Sequence, residues 1–465
     1  MSKVSSSLTA RVCDLIVEIG REPLDADLLV AARQLFLDGI AVAIAGARIE
    51  EAPGILAAHF ADPLSGAGAG SCALLGLNAR LAPVQAALVN GASMHVLDFE
   101  PMWLPATHAL SPALSAVLAL GETLGSSGAK MLTAMVLGIE IQSRLRQAAG
   151  ALESHNLHFH PPGFVGPIGA VVAAGHLLDF TAEQYANAIG IVGSRCGGLF
   201  VNLGTMTKAT HCAYAASLGL EAALLTRRGF TGSLTLFDSG KQSFANAFFP
   251  LGFDGDTLLD FGRPFRILDP GYAIKIFPAK FTTHYAITAA LMARPQIPAS
   301  AVIQSIHMDA ADVPSSDRPW PRSGLDGKFS LQFTAAAALL DGHVGLSTFT
   351  DERLARADMQ DLLAKTTVRL SQDIPSIYTA GRYLDLTVTL ASGEVVRTRC
   401  ERPRGSWGSA PITHEEHLAK ARDCFGVYLS PEASQSLIEA CSGIETLDSR
   451  GVSALLRTAC EGTVG

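Results

Sequence analysis

Apolar residues recur at intervals of three and four from residue 8 to about residue 268, in segments separated by Gly, Pro or polar punctuation. LTARVCDLIVEIG, DADLLVAARQLFLDGIAVAIAG and ARLAPVQAALVNGASMHVL open the series, and Asp25 is placed to cap the second of them. SPALSAVLALGETLG, KMLTAMVLGIEIQSRL, AVVAAGHLLD, TAEQYANAIGIVGS and the small-residue run from Ala213 continue it. This spacing predicts helix throughout, so residues 1–268 read as an all-α bundle.

Beyond FGRPFRILDPGYAIK the period changes. Residues 302–309, 366–371 and the pair YLDLTVTL and VVRTRC alternate, are rich in β-branched side chains, and read as strands. Ala391-Ser392-Gly393-Glu394 reads as the hairpin turn between the last two. With the helical segment FTAAAALLDG from Phe333 among them, residues 269–407 are expected to form an α+β lid domain. Residues 408–465 return to helix, with Thr413 and Glu416 as a capping box, and are expected to rejoin the first domain. The fold class is therefore mainly α: a large all-α helical domain with a smaller inserted α+β domain. His414 and His417 read as part of a solvated helix start.

Composition narrows the partners. At 465 residues the chain exceeds the ~250–300 at which single cores stop growing, and 48% hydrophobic residues can fill two. Its Ala, Leu, Val and 44 Gly favour closely approaching helices. A net charge of −8 without a run of five basic residues argues against a nucleic-acid partner. The eight cysteines show no C-x-x-C spacing, which suggests neither a metal site nor a disulfide framework. The N-terminal apolar stretch is interrupted by Asp14 and Glu18, and stretches such as 170–178 are shorter than the ~18 residues of a membrane span. A cytoplasmic protein without a membrane partner is expected.

The stretch MHVLDFEPMWLPATHALSPAL strings His95, Asp98, Glu100 and His108 along apolar sequence. An Asp that orients a His holds one tautomer and makes it a base or acid near neutral pH; the alternative is that Asp98 and His108 only cap turns. His158 and His160 precede Pro161-Pro162-Gly163, so one should point inward, and without a third ligand at a recognisable spacing they suggest no metal. Lys208 precedes a small-residue helix, where it either serves the site or snorkels to the surface. Lys275 and Lys280 flank a Phe-Pro turn, with His284 four residues on, and such cations bind carboxylates and stabilise a developing enolate. No nucleotide-binding glycine spacing and no G-x-S-x-G occurs. The inventory suits proton transfer on a small carboxylic acid.

NGASMHVLDFEPMWLPATHALSPALSAVLALGE, HFHPPGFVGPIGAVVAAGHLLDF, TMTKATHCAYAASLGLEAALLTRRGFTG, AIKIFPAKFTTHYAITAAL and DRPWPRSGLDGKFSLQFTAAAALLDG stand in this order. Through them nearly the whole chain resembles the MmgE/PrpD family of dehydratases, decarboxylases and epimerases. The resemblance implies a helical domain built from both chain ends, an inserted smaller domain, a homodimer, and a site between the domains without metal or organic cofactor. It places Asp98 in LDFE, His108 in ATHAL, His160 in HFHPP, Lys208 in MTKA and Lys275 in IKIFPA at that site. The wording is closest to the family's cis-aconitate decarboxylase branch, with two departures: Lys280 stands where that branch has histidine and Phe333 where it has tyrosine; the acidic pair usual in the family, DFDD, is DFEP here. The resemblance thus implies a cofactor-independent lyase of a small di- or tricarboxylate. The alternatives are an epimerase of a dicarboxylate such as iminodisuccinate and a carboxylate-binding homologue without turnover.

Overall fold

The computed structural model describes residues 7–65, 69–149, 157–249, 251–376, 378, 381–409 and 411–462. Nine helices of the first part are α1 (Leu8–Ile19), α2 (Ala26–Ile49), α3 (Glu51–Ala61), α4 (Pro83–His95), α5 (Leu110–Leu124), α6 (Gly128–Ala148), α7 (Pro162–Leu177), α8 (Ala182–Gly193) and α9 (Met206–Arg227). Asp25 caps α2, its carboxylate accepting from the Leu28 amide at 2.8 Å. Helices α2, α4, α5, α7 and α9 are buried on most of their surface, and small residues let their backbones come together. A Cβ at Gly46 of α2 would lie 2.0 Å from the Ser93 carbonyl oxygen of α4, and one at Gly219 of α9 would lie 2.5 Å from that of Pro167 in α7.

The α2 helix is long and apolar enough to cross a membrane, contrary to the expectation that every apolar stretch falls short of a span. In the fold 78% of its apolar window is buried, and α4 and the helices His414–Phe425 and Pro431–Ser442 pack on it. It also carries the buried Asp38. His417 bonds that carboxylate at 2.9 Å and Lys420 at 2.8 Å, so His417 is an interior residue and not part of a solvated helix start. Thr413 and Glu416 do form the capping box. Burial would raise the Asp38 pKa, but Lys420 and His417 outweigh it and hold the carboxyl below its usual value.

The expectation of an all-α large domain is overturned. Strands β1 (Ala69–Leu74) and β2 (Ala79–Leu81) form an antiparallel hairpin, whereas the helical segment read from the sequence began at Ala79. Gly76 at φ 73° and Asn78 at φ 48° make its turn, and the helix begins only at Pro83. Two-residue strands β3 (Met102–Trp103) and β4 (Tyr272–Ala273) also pair, joining distant parts of the chain. The molecule is mainly helical but mixed α and β.

Strands β5 (Ile303–Ala311), β6 (Thr366–Ser371), β7 (Leu384–Leu390) and β8 (Val395–Cys400) form one sheet in the order β6-β5-β7-β8. β5 and β6 run parallel, while the other two pairs are antiparallel. Alternate residues of β7 are buried, and the helices Phe281–Ala293 and Leu331–Asp341 belong to the same core. One apolar core takes residues from Val12 to Ile267 and again from Ala421 to Cys460; a second takes Met102 and residues from Ala273 to Cys400.

Replacing Lys420 by Met leaves the buried Asp38 carboxylate with His417 as its remaining side-chain hydrogen-bond partner among the described residues. The unfolding free energy in urea is expected to fall by about 3 kcal/mol, and a loss below ~1 kcal/mol would contradict the structural weight given to this pair.

Candidate active site

The site starts where α4 ends. Asp98 lies three residues beyond His95 at φ 51°, a left-handed conformation that Asp tolerates better than most residues, and its amide bonds the His95 carbonyl at 2.9 Å. The β3–β4 pairing sets Ala273 opposite Met102, which brings Lys275 to the same loop. The Lys275 ammonium bonds the Asp98 Oδ1, and also the Asp98 carbonyl at 2.8 Å. Lys208, in the first turn of α9, reaches Oδ2 at 2.5 Å. The carboxylate is thus clamped between two ammoniums, with all three groups buried. Burial opposes its ionisation, but Lys208 and Lys275 prevail and hold Asp98 well below the usual carboxylate range.

His108 lies 3.8 Å from Asp98 Oδ1 through its Nε2 and 3.6 Å from Glu100 Oε1 through its Nδ1. Both distances exceed a hydrogen bond, so Asp98 engages the lysines before the imidazole. His160 points inward ahead of α7, as its pairing with the exposed His158 suggested, and its Nδ1 is 3.2 Å from that of His211. His95, buried on α4, stands with its ring centroid 4.6 Å from His108 and 5.4 Å from His160. Burial lowers all four imidazole pKa values. Lys208 adds to the effect at His95, His160 and His211, the last falling to about 4, and Lys275 adds to it at His108. The histidines are neutral bases in a positive field.

Asp98, His108, His160, Lys208 and Lys280 border one cavity, together with Thr107, Phe200, Phe281, Phe329 and Tyr378. Its free space is about 80 Å3. Lys280 precedes the helix Phe281–Ala293 and bonds the hydroxyls of Ser315 at 2.6 Å and Ser316 at 2.9 Å. Burial, with Arg318 adding repulsion, lowers its pKa to about 7. Lys275 does not border the cavity; burial lowers it to about 8 although Asp98 favours its charge. His284 is packed between Phe277 and Phe281 away from the cavity. Three imidazoles, of His95, His108 and His160, come close enough to share a cation, yet the neighbouring ammoniums oppose one. The balance of charge favours an anion. A more open groove of about 870 Å3 along residues 190–195 and 230–244 has, among the described residues, Arg195, Asp238 and Lys241 as its ionisable side chains and no imidazole.

Two wall residues had no signal in the sequence. Tyr378 contributes a phenol 3.0 Å from the Thr282 hydroxyl, and Phe329 lies under the Lys208 ammonium at 5.2 Å. Phe333, read as the missing site tyrosine, is absent from the cavity wall and packs in the second core, 5.9 Å from Phe349 between ring centroids.

The MmgE/PrpD N-terminal domain model matches residues 10–254, and the C-terminal domain model matches residues 277–444. The chain is 31% identical to cis-aconitate decarboxylase of Mus musculus, over 79% of this chain and 77% of that protein. Identity to the Homo sapiens cis-aconitate decarboxylase is also 31%, over 79% and 78%. For that of Aspergillus terreus it is 24%, over 96% of this chain and 95% of the other. Both family domains are matched in order across most of the chain, and the chain belongs to the MmgE/PrpD family.

Proposed function

We propose that this protein is a lyase that decarboxylates cis-aconitate or a close tricarboxylate by proton transfer next to a carboxylate. The observation that carries the reading is the cavity in which Lys208 and Lys280 face the neutral imidazoles of His108 and His160. The names of its relatives supply the substrate class. The ammoniums of Lys208 and Lys280 hold carboxylates, while Phe281 and Phe329 form an apolar wall that favours release of uncharged carbon dioxide. A carbon–carbon bond breaks, the electron pair passes into the neighbouring alkene, and one proton is delivered to carbon, turning cis-aconitate and a proton into itaconate and carbon dioxide. His108 delivers that proton, with His160 as its partner on the cavity wall. Asp98 holds Lys208 and Lys275 in place. The chemistry is assigned to these side chains without a cofactor. Eight free cysteines support a reducing, cytoplasmic setting, and the family resemblance supports a homodimer.

An epimerase is the second reading. It is favoured by Lys280 and His108, a lysine and an imidazole on walls from different parts of the chain, as two-base proton exchange requires.

Proton NMR in deuterated buffer with cis-aconitate, 2-methylcitrate, citrate and iminodisuccinate in separate tubes tests both. Itaconate carrying one solvent deuteron is expected, whereas exchange into recovered iminodisuccinate without loss of carbon would select the epimerase. Replacing His108 or Lys208 by Ala should lower kcat/KM by at least ~100-fold, and full turnover by either variant would refute the assignment. Because the Lys280 ammonium is lost as pH rises through about 7, KM should climb above that pH. Lys280→Arg keeps its charge and should flatten the climb; a flat wild-type KM from about pH 6 to 8.5 would remove Lys280 from carboxylate binding.

A further inference from the structure

A neutral imidazole is a poor acid unless its second nitrogen gains a proton as the first gives one up. On the cavity wall the ammoniums of Lys208 and Lys280 are given to carboxylate binding, and behind it lies a carboxyl that adjoins His108. Glu100 and His95 are fully buried and border no part of the cavity, yet both adjoin His108.

Glu100 accepts from the Ser111 amide at 3.0 Å on Oε2 and from the Ser111 hydroxyl at 2.8 Å on Oε1. Ser111 lies in the first turn of α5, so a carboxylate there would be explained by helix capping alone. Capping does not explain the rest. Glu100 Oε1 is also 2.6 Å from His95 Nδ1 and 3.6 Å from His108 Nδ1, and that His108 nitrogen has no hydrogen-bond partner among the described residues. Both Ser111 contacts are donations to the carboxyl. A proton on Oε1 therefore has two acceptors among these neighbours, the imidazoles of His95 and His108.

We propose that Glu100 is a positioning and proton-supplying residue for His108, with His95 holding its carboxyl in place between turnovers. This rests on the proton-transfer role given to His108 above. As the Nε2 proton of His108 passes to the carbon left electron-rich by loss of carbon dioxide, the O–H bond of Glu100 breaks and an N–H bond forms at His108 Nδ1, so the imidazole stays neutral and the charge ends on the Glu100 carboxylate. After product leaves, a solvent proton taken up at Nε2 lets the Nδ1 proton return to Glu100, so each turnover consumes one solvent proton. A shift of under an ångström closes the 3.6 Å gap to hydrogen-bond length.

The ionisable groups around Glu100 fit this role. They are His95 on α4, Asp98 and His108 on the loop, Lys208 and Cys212 on α9, and Lys275 after β4. Burial raises Glu100 to about 8, against the Ser111 hydrogen bonds and the two lysines, so the carboxyl holds its proton at neutral pH. Burial also pushes the Cys212 thiol up, which keeps it from competing as an anion. The alternative role for Glu100, as a fixed charge supporting the loop, would require an ionised carboxylate in the same place.

Glu100→Gln and Glu100→Asp separate the two roles. With cis-aconitate, the Gln variant should lose about 100-fold in kcat with KM within ~3-fold, and the Asp variant should recover at least ~10-fold of that loss. Lys275 titrates in the same range as Glu100, so the wild-type pH limb near 8 is assigned by comparison: the alkaline limb should change in Glu100→Gln while Lys275 is intact. A Gln variant within ~3-fold of wild-type kcat, or Gln and Asp variants equally impaired, would overturn the proposal. Infrared spectroscopy of the substrate-free enzyme at pH 7 supplies a readout independent of turnover. A carboxylic-acid C=O band that shifts in deuterium oxide and vanishes in Glu100→Gln is expected. Its absence from the wild type would refute the proton store, even if none of the four acids is turned over and the decarboxylase reading fails.

Discussion

One buried carboxylate between two ammoniums governs the state of this site. A charge removed from water costs several kcal/mol unless its partners are close and well placed, so Asp98, Lys208 and Lys275 depend on one another. Their positions come from three parts of the chain: a left-handed turn after α4, the first turn of α9, and the residues following β4. One negative charge against two positive ones leaves a positive field. That field disfavours protonated imidazole at His95, His108 and His160, and it attracts an anionic substrate.

The helical scaffold makes such a cluster possible. A Cβ at Gly91 of α4 would lie 3.0 Å from the Cα of Ala213 in α9, so these helices approach nearly backbone to backbone. His95 closes α4, while Lys208 and His211 open α9, which brings the three side chains to one end of the contact. The small residues that lower side-chain burial per helix thus allow a dense set of polar groups to share one interior. The far side of the loop is tied down by the third chain segment: Lys420 bonds the Phe99 carbonyl at 2.9 Å as well as Asp38. The last helical segment thereby reaches the backbone between Asp98 and Glu100.

Much of this was legible in local pattern. The capped start of α2, the capping box at Thr413, the strand at residues 366–371 and the β7–β8 turn depend on residues within a few positions, where spacing carries the physics. The β1–β2 hairpin was not legible, because its short apolar strands run into a helix at Pro83 without a change in composition. The apolar length of α2 likewise gives no sign by itself of whether protein or lipid covers it; the packed helices do. His417 looked solvated beside Glu415 and Glu416, and only its buried partner Asp38, 379 positions away, accounts for its place.

The sequence by itself determined which ionisable groups stand in otherwise apolar stretches, among them Asp98, His108, His160, Lys208, Lys275 and Lys280. It also carried the motifs that mark the family. Only the tertiary structure decided their pairing. It gave Asp98 to the lysines, put Lys275 behind the cavity and Lys280 on its wall, brought in Tyr378, and placed Glu100 within reach of His108. The reason is that residue type sets what a group can donate or accept, whereas its charge state and partner depend on burial and on distances of a few ångströms between segments remote in sequence.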